Sequence, residues 1–493
     1  MKICVLQSSY LLSDSPLKED DDFLLDIRPH LLEHEVEVAD LHKATAVRQV
    51  RELVQQGFDL FINLCDGAWD EDRAGIEVVQ ALERYNAPFT GATSDFYEPT
   101  REDMKRVCHH YGIGTPRHYF AMTEADIEEA AHSLRFPMIV KHPNSYSSIG
   151  MTRSSRVETP AALHLETTRI IEQFGEALIE EFIDGREFTV LVVENAADAQ
   201  NPIVFQAMEF LFPQGETFKH YDLKWIEYQG LSCRHCEDAE LNERLSAMSQ
   251  QIFLGLNGAG YGRCDIRMNA GGELFMLEIN PNCGIFYSPE DAGSADFILL
   301  NHPNGYAYFL SLIQKAAFQR QQTKLKNWRL RLDAHSAYGM YAATNIAAGE
   351  LIEPFEEQAH FLVSRTHVEK HWNAQWKTWL RQYGYPITEE VWVMWSNNPR
   401  DWKPINHSCN PNAWLDNLNL VARRCIPLGE QITVDYATFY HASMPEFVCE
   451  CGSPDCRRLI SGNDATKPFM VSYDQHVSDY VKTRLVSALA EQY

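Results

Sequence analysis

Short, mainly apolar runs alternate with stretches of helical spacing from Lys2 to the region of Ile279, and nothing like them follows Leu330. Residues 2–6, 58–64, 137–141 and 177–182 are far below the roughly 20 residues that cross a bilayer and are bounded by turn residues, so they predict buried strands. Between them, residues 23–32, 45–56, 76–85 and 100–111 carry apolar side chains at helical spacing, the last stopped by Gly112. Strand–helix alternation of this kind predicts a parallel α/β unit at the start of the chain. Residues 188–193, 203–210 and 273–279 predict further sheet strands, and residues 314–326, polar and without a motif, predict a linker. After Leu330 the strands shorten, Gly and Asn turns multiply and tryptophan becomes dense: Trp372, Trp376, Trp379, Trp392, Trp395 and Trp402. Val477, Val481, Leu485 and Leu489 recur every fourth residue and predict a docked terminal helix over residues 474–492. No internal repeat is present.

The charge breaks where the texture does. Residues 320–493 hold 18 Lys+Arg against 19 Asp+Glu, so nearly all of the net −26 lies in residues 1–319. Two units of different origin are implied. So acidic a first part disfavours contact with a nucleic-acid backbone, although a nucleotide needs only a few local cations. The sequence gives no expectation of a membrane span, and residues 1–12 read as a strand and its loop rather than a secretory signal. The 12 cysteines are therefore expected as reduced thiols or metal ligands, and the chain as cytoplasmic.

Four separated pieces of the first part belong together. Lys105 falls on a helix and Lys141 ends a buried strand, followed by the small-residue loop Ser145-Tyr146-Ser147-Ser148-Ile149-Gly150. Such a loop can fold over phosphates while lysines neutralise them. Glu180-Glu181-Phe182-Ile183 and Gly185-Arg186-Glu187-Phe188 set acidic groups beside an apolar strand, which suits an adenine edge and ribose hydroxyls. Arg263-Cys264-Asp265 and Leu277-Glu278-Ile279-Asn280 bring hard oxygens from adjacent strands, the ligands Mg²⁺ prefers while bridging phosphates.

On these residues the first part, roughly 1–315, resembles an ATP-grasp ligase of the D-alanine–D-alanine ligase branch. The resemblance implies ATP held between two α+β lobes, phosphorylation of a carboxylate, and attack of an amine on the acyl phosphate with release of ADP. It implies Lys105, Lys141, Ser147 and Ser148 on the phosphates and Glu180 and Phe182 at the adenine hinge. It further implies Glu187 on the ribose, Asp265, Glu278 and Asn280 on Mg²⁺ (or Mn²⁺), and Arg263 stabilising the charge of the tetrahedral intermediate. Three departures point away from D-alanine as substrate. No Ser-x-Glu segment occurs in residues 7–17. Cys65-Asp66-Gly67 stands where a His-Gly pair is usual, and the mobile-loop Lys-Tyr is Lys224-Trp225.

The second part has its own constellation: Asn406-His407-Ser408-Cys409, then Asp435-Tyr436, then Cys449-Glu450-Cys451 and Cys456. Cys-x-Cys-x4-Cys supplies three thiolates, and Cys409 is the candidate fourth for a tetrahedral Zn²⁺. Ser408 has no Asp–His relay at a suitable spacing, and Cys233-x-x-Cys236 reads as a pair of free thiols. Together with Tyr338-Gly339, these residues resemble a SET-domain methyltransferase with a post-SET zinc motif, over about residues 325–462. The resemblance implies a mainly-β knotted fold. Tyr338, Gly339, Asn406 and His407 would hold S-adenosylmethionine, Tyr436 would be the catalytic tyrosine, and Cys409, Cys449, Cys451 and Cys456 would hold Zn²⁺. Trp392, Trp395 and Phe439 are candidate walls of a channel for the acceptor amine.

The sequence thus predicts an α/β (α+β) multidomain protein. Residues 1–95 form a pre-ATP-grasp domain, 96–318 the ATP-grasp domain, 319–445 the SET domain, 446–462 the zinc motif and 463–493 a helical tail. The expected activity is bifunctional, a carboxylate–amine ligase joined to an amine methyltransferase acting on small-molecule or peptide substrates, the oligomeric state being open to a homodimer. Two alternatives stand beside it: a protein-lysine methyltransferase whose ATP-grasp part recruits its target, and a nonenzymatic binding protein with two relict folds.

Overall fold

The computed structural model describes residues 1–11, 25, 27–69, 71–144, 149–220, 223, 231–288, 292–332, 338–355, 360–396, 398 and 401–490. It divides into two compact units, Met1–Lys324 and Leu325–Tyr493.

The first unit opens with a parallel sheet, Lys2–Ser8 between Glu35–Leu41 and Leu60–Asn63, as the alternation of strands and helices requires. Helices Ala46–Gln55 and Ile76–Arg84 match two of the predicted ones. Of the helix expected over 23–32, Phe23, Leu24 and Asp26 lie outside the described residues, and Arg28–His30 is a single 3-10 turn. Helix Arg101–Tyr111 is capped at both ends. Thr100 Oγ1 accepts the Asp103 N–H at 3.0 Å, and Gly112 takes the left-handed conformation, φ 69°, that ends it. Such a cap contributes about 1 kcal/mol.

Two antiparallel sheets follow. In one, His118–Ala121, Ala177–Glu181, Met138–Lys141 and Arg156–Val157 lie side by side in that order. Met138, Val140, Ala177 and Ile179 face helices Glu124–Ser133 and Pro160–Phe174, so the strands' period of two sends Ile139, Lys141, Leu178 and Glu180 to the opposite face. The other sheet runs Ser232–His235, Met208–Leu211, Arg186–Val193, Tyr261–Met268, Leu274–Pro281. Phe188, Val190 and Val192 join one core with helix Ala239–Gly255, whereas Leu191 and Val193 join another with helix Gly305–Lys324. Burial on both faces explains why residues 188–193 are apolar at every position but Thr189. The strand expected over 203–210 is two strands, Ile203–Val204 and Met208–Leu211.

The stretch 314–326, read from sequence as a linker, belongs to the first unit up to Lys324. Helix Gly305–Lys324 buries Phe309, Ile313, Ala316 and Ala317, and Arg320 pairs with Glu194 and donates to the Phe89 carbonyl. The polar residues that suggested a linker are the outward half of a packed helix.

The second unit is made of small sheets: Trp328–Leu332 with Tyr338–Ala342; Leu351–Glu353, Asn419–Ala422 and Ala413–Asp416; His360–Ser364, Val391–Trp395 and Tyr385–Pro386; and Phe447–Val448 with Leu459–Ile460. The pair Asn406–His407 and Thr433–Val434 is parallel. Helix Asp479–Ala490 follows two 3-10 helices, and Tyr480 and Val481 close a core with Ala437, Ala465, Met470 and Tyr473.

Candidate active sites

The face of the large sheet that is apolar at Tyr261, Leu191 and Val193 becomes charged further along, where Arg263, Asp265, Arg267 and Glu187 follow at steps of two. On the neighbouring strand a β-bulge intervenes. Asp265 pairs with Glu278 but Ile266 pairs with Met276, so Leu277 is an extra residue. Leu274 and Met276 before the bulge and Ile279 after it all face one core. The bulge therefore turns Glu278 and Asn280 out of that core and onto the charged face.

This face and the cleft side of the smaller sheet enclose a space of about 870 Å³ lined by Arg101, Lys141, Glu180, Phe182, Glu187, Lys219, Arg263, Asp265, Arg267 and Glu278 among others. One end is apolar: Ile139, Met151, Phe182 and Phe218 pack together, with the Arg156 and Arg267 guanidiniums 4.4 and 4.7 Å from the Phe182 ring centre. The other end is ionic. Asn280 Nδ2 donates to Glu278 Oε1 at 3.2 Å, Arg101 Nη2 lies 2.5 Å from Glu278 Oε2, and Arg263 Nη2 lies 3.1 Å from Asp265 Oδ2. Burial pushes the Glu278 carboxyl up, but Arg101, Lys141 and the Asn280 amide together bring it below its ordinary value. Two opposed carboxylates and an amide oxygen form a hard-oxygen donor set that fits Mg²⁺.

Not every expected residue sits where sequence placed it. Lys141 Nζ donates to Glu180 Oε2 at 2.6 Å. Lys105 is buried against Glu180 Oε1 and donates to Thr115 Oγ1 at 2.7 Å, behind the cleft wall rather than on it. Burial alone would raise the Glu180 carboxyl, yet the two ammonium groups hold it well below its ordinary value. Burial also lowers the Lys105 ammonium, Glu180's pull notwithstanding, because that carboxylate is shared. Glu181, one residue on, faces the other way and pairs with Arg135 at 2.8 Å. Glu187, expected on a ribose, is held by Lys219 at 2.9 Å and Arg267 at 3.2 Å. Ser147, Ser148, Lys224 and Trp225 lie outside the described residues. Arg101, Lys219 and Arg267 were missed. Arg267 was legible as the third charged residue of the i, i+2, i+4 series from Arg263; the other two carried no sequence signal.

A second space, about 620 Å³, adjoins Arg263 and Asn280 and is lined by Asp66, Glu71, Arg73, Tyr97, Glu98 and Asn282. Arg73 spans Asp66 at 2.8 Å and Glu71 at 2.7 Å. Tyr97 Oη and Asn282 Nδ2 both donate to the Cys65 carbonyl.

In the second unit Tyr436 is half-buried among aromatic rings, with Phe439 at 5.5 Å, Tyr440 at 5.8 Å and Phe447 at 5.7 Å. Its hydroxyl donates to the Ile405 carbonyl at 2.8 Å, and burial pushes its pKa up. Phe439 is thus beside Tyr436 as expected. Trp392 is instead core, against His441, and Trp395 packs on Phe355. At Gly339 a Cβ would stand 2.4 Å from Gln431 Nε2 and 2.9 Å from Asn406 Nδ2. Gln431 Nε2 is buried and finds no acceptor among the described residues. A glycine cradle facing an orphaned donor fits a bound polar cofactor such as S-adenosylmethionine. Asn406 Nδ2 donates to the Tyr338 carbonyl at 3.1 Å. Ala337 lies outside the described residues.

Cys409, Cys449, Cys451 and Cys456 place their sulfurs within 4.8 Å of one another. Burial pushes the Cys409 and Cys449 thiols up. In Cys451 backbone N–H groups of Cys409 and Ser453 overcome burial and bring the thiol to about 6. Four sulfurs this close form a donor set that fits a tetrahedral metal ion such as Zn²⁺. Cys233 and Cys236 form no disulfide.

Residues 109–288 match the family described as D-ala D-ala ligase C-terminus, and residues 337–437 match the family described as SET domain. The chain joins an ATP-grasp ligase region to a SET domain. Among relatives of the ligase region, the D-alanine–D-alanine ligase of Cupriavidus necator is 27% identical over 243 residues, 48% of this chain and 71% of that protein. That of Pseudomonas fluorescens is 32% identical over 208 residues, 41% of this chain and 60% of that protein. The crystal structure of D-alanyl-alanine synthetase A from Vibrio cholerae covers 64% of this chain and 98% of its own at 15% identity, with a TM-score of 0.49. Both matched families are enzyme families. No described helix is long and apolar enough to cross a membrane. The cysteines 449, 451 and 456 follow the matched SET residues, so the zinc motif rests on the cluster itself.

Proposed function

We propose that the chain is a bifunctional enzyme, an ATP-dependent carboxylate–amine ligase and an S-adenosylmethionine-dependent amine methyltransferase. The observation that carries the first half is the opposed Asp265–Glu278 pair, with Asn280, in the same cleft as Lys141 and the apolar Phe182 end. Adenine fits the apolar end, and Lys141, Lys219 and Arg101 are the cations nearest the phosphates' path. Mg²⁺ on Asp265, Glu278 and Asn280 would neutralise the phosphates. Arg263 lines both spaces, so a carboxylate lying across it reaches from the second space toward the transferred phosphoryl group. The amine then attacks the acyl phosphate while Arg263 faces the oxygen that gains charge.

The methyltransferase half is supported by Tyr436 among aromatic rings, its hydroxyl on the carbonyl of Ile405, the residue before the Asn406 that meets the Gly339 cradle. Desolvation by these rings keeps an acceptor amine neutral, hence nucleophilic, and the fixed Tyr436 hydroxyl orients it toward the methyl donor. Small molecules or peptides are the proposed substrates of both sites, in the cytoplasm; methylation of a protein lysine is the alternative. The test is a screen of carboxylate and amine pairs with purified chain, ATP and Mg²⁺, followed by mass spectrometry. An amide formed with release of ADP supports the ligase reading; AMP and pyrophosphate refute it.

A further inference from the structure

His407 stands between the cysteine cluster and the turn that carries Tyr436, and both of its ring nitrogens are engaged. Nδ1 accepts the backbone N–H of Tyr436 at 3.2 Å. Nε2 lies 3.4 Å from Cys409 Sγ. A ring nitrogen that accepts an amide proton carries none of its own, so the imidazole proton is on Nε2, facing sulfur.

The nearby carboxylate does not alter this assignment. Asp435 Oδ1 is 3.6 Å from His407 Nδ1, outside hydrogen-bond range. Both oxygens of Asp435 are already served. Oδ1 accepts from Arg457 Nη2 at 2.6 Å and the Ala437 N–H at 3.0 Å, and Oδ2 accepts from Arg457 Nη1 and Tyr473 Oη, each at 2.8 Å. On the other side, Cys409 Sγ also accepts the Arg457 N–H at 3.4 Å. Were a metal bound there, the Cys409 sulfur could only accept, which would give the Nε2–H···S bond the same direction as the Nδ1 contact requires.

We propose that His407 is a positioning residue that couples the cysteine-bound metal to the Tyr436 turn: Nε2–H donates to the Cys409 thiolate while Nδ1 holds the Tyr436 amide. This rests on the zinc and tyrosine readings above. It reassigns a residue expected to bind S-adenosylmethionine, since neither ring nitrogen is left to offer it. It also makes the metal cluster a support for the geometry of Tyr436 and not only for the fold.

Two isosteric variants divide the ring's roles. His407→Gln keeps an N–H near the Nε2 position and loses the acceptor at Nδ1. His407→Asn keeps an acceptor near Nδ1 and loses the donor to sulfur. The full chain is loaded with Co²⁺ alone for thiolate-to-cobalt charge-transfer spectra, and with Zn²⁺ for amide NMR of ¹⁵N-tyrosine-labelled protein. His407→Gln is expected to keep the wild-type cobalt band and lose the shifted Tyr436 amide resonance. His407→Asn is expected to keep that resonance, shift the band and hold metal roughly 10–100-fold more weakly. In wild-type chain labelled separately with ring-¹⁵N histidine, the ¹⁵N shifts of the His407 ring are expected to place the proton on Nε2. A proton on Nδ1, or the two signals lost together in both variants, overturns the coupling. A wild-type chain that retains no metal overturns it along with the zinc reading. Neither signal depends on methyl transfer, so failure of the methyltransferase reading is told apart from failure of this one.

Discussion

Asp265 and Glu278 occupy directly opposed positions on adjacent antiparallel strands, immediately before the bulge that turns Glu278 into the cleft. Arg263 pairs with Asp265 and Arg101 with Glu278. Glu278→Gln preserves the shape and the bond with Asn280 but removes one negative ligand. Ligase turnover, read as ADP release, should fall by roughly 100-fold or more, since metal neutralisation of a transferring phosphoryl supplies several kcal/mol. An unchanged rate would mean the metal lies elsewhere.

Glu180 is fully buried between Lys105 and Lys141. Glu180→Gln leaves two buried ammonium groups without their counter-charge, a loss of about 3–5 kcal/mol in the unfolding of the ligase region. The pH dependence has a definite sign. The folded carboxyl is held below its ordinary value, so its contribution is complete above the unfolded pKa of about 4.3 and is lost as pH falls below that toward the folded value. Denaturation curves of wild type and variant should therefore stay a fixed distance apart above about pH 5 and converge in acid. A gap that persists unchanged to pH 3 would show that packing, not charge, carries the effect.

D-Alanine should be a poor substrate. Where the family's His-Gly pair is expected, the Cys65 carbonyl is occupied by Tyr97 and Asn282, and the Asp66 carboxylate is paired with Arg73 at 2.8 Å. Polar groups built for one ammonium commonly reject another by about 10⁴-fold. Incubation with millimolar D-alanine, ATP and Mg²⁺ should yield no ADP above background; efficient formation of D-alanyl-D-alanine would refute it.

The sheet strands were legible in sequence because burial on both faces writes a nearly continuous apolar run, as in residues 188–193, interrupted only by Thr189. Helix 101–111 was legible because both of its caps are local. The cleft was harder to read. Strict alternation places Leu274, Met276, Glu278 and Asn280 on one face, which would bury the metal ligands in the core; a single extra residue, Leu277, resolves the conflict, and no local pattern announces it. Lys105 reads as a phosphate ligand by position, but its ammonium is spent on Glu180, a contact between elements 75 residues apart in sequence. The tryptophan-rich stretch suggested a channel, whereas Trp392 is core and the rings around Tyr436 are Phe439, Tyr440 and Phe447. Composition marks an aromatic region without saying which rings face the reacting group.

Metal analysis should find one zinc per chain in the wild type and none in Cys451→Ser. Cys451 is one of the four sulfurs within 4.8 Å of one another, so its loss removes a ligand from the set. Because Cys409 lies two residues from His407, the same variant should lower the thermal transition of the second unit as well as its metal content. Undiminished zinc in Cys451→Ser would exclude the four-sulfur site.

The two activities should separate by point mutation. Tyr436→Phe removes one hydroxyl, whose only described bond is to the Ile405 carbonyl within the second unit, and leaves the aromatic packing with Phe439 and Phe447. Loss of a positioned hydroxyl donor at a reacting centre typically costs about 10²–10³ in turnover. Methyl transfer should fall by that amount while ATP-dependent ligation stays near wild type, since sites in separately folded units generally behave additively. Circular dichroism should be unchanged. If ligation falls in parallel with the fold intact, the sites act in sequence on one substrate, with methylation first. Supplying a premethylated amine decides the point: ligation restored by it would identify the methylated compound as the ligase's acceptor, and ligation still absent would mean that Tyr436 supports the nucleotide cleft in a way two independent units do not allow.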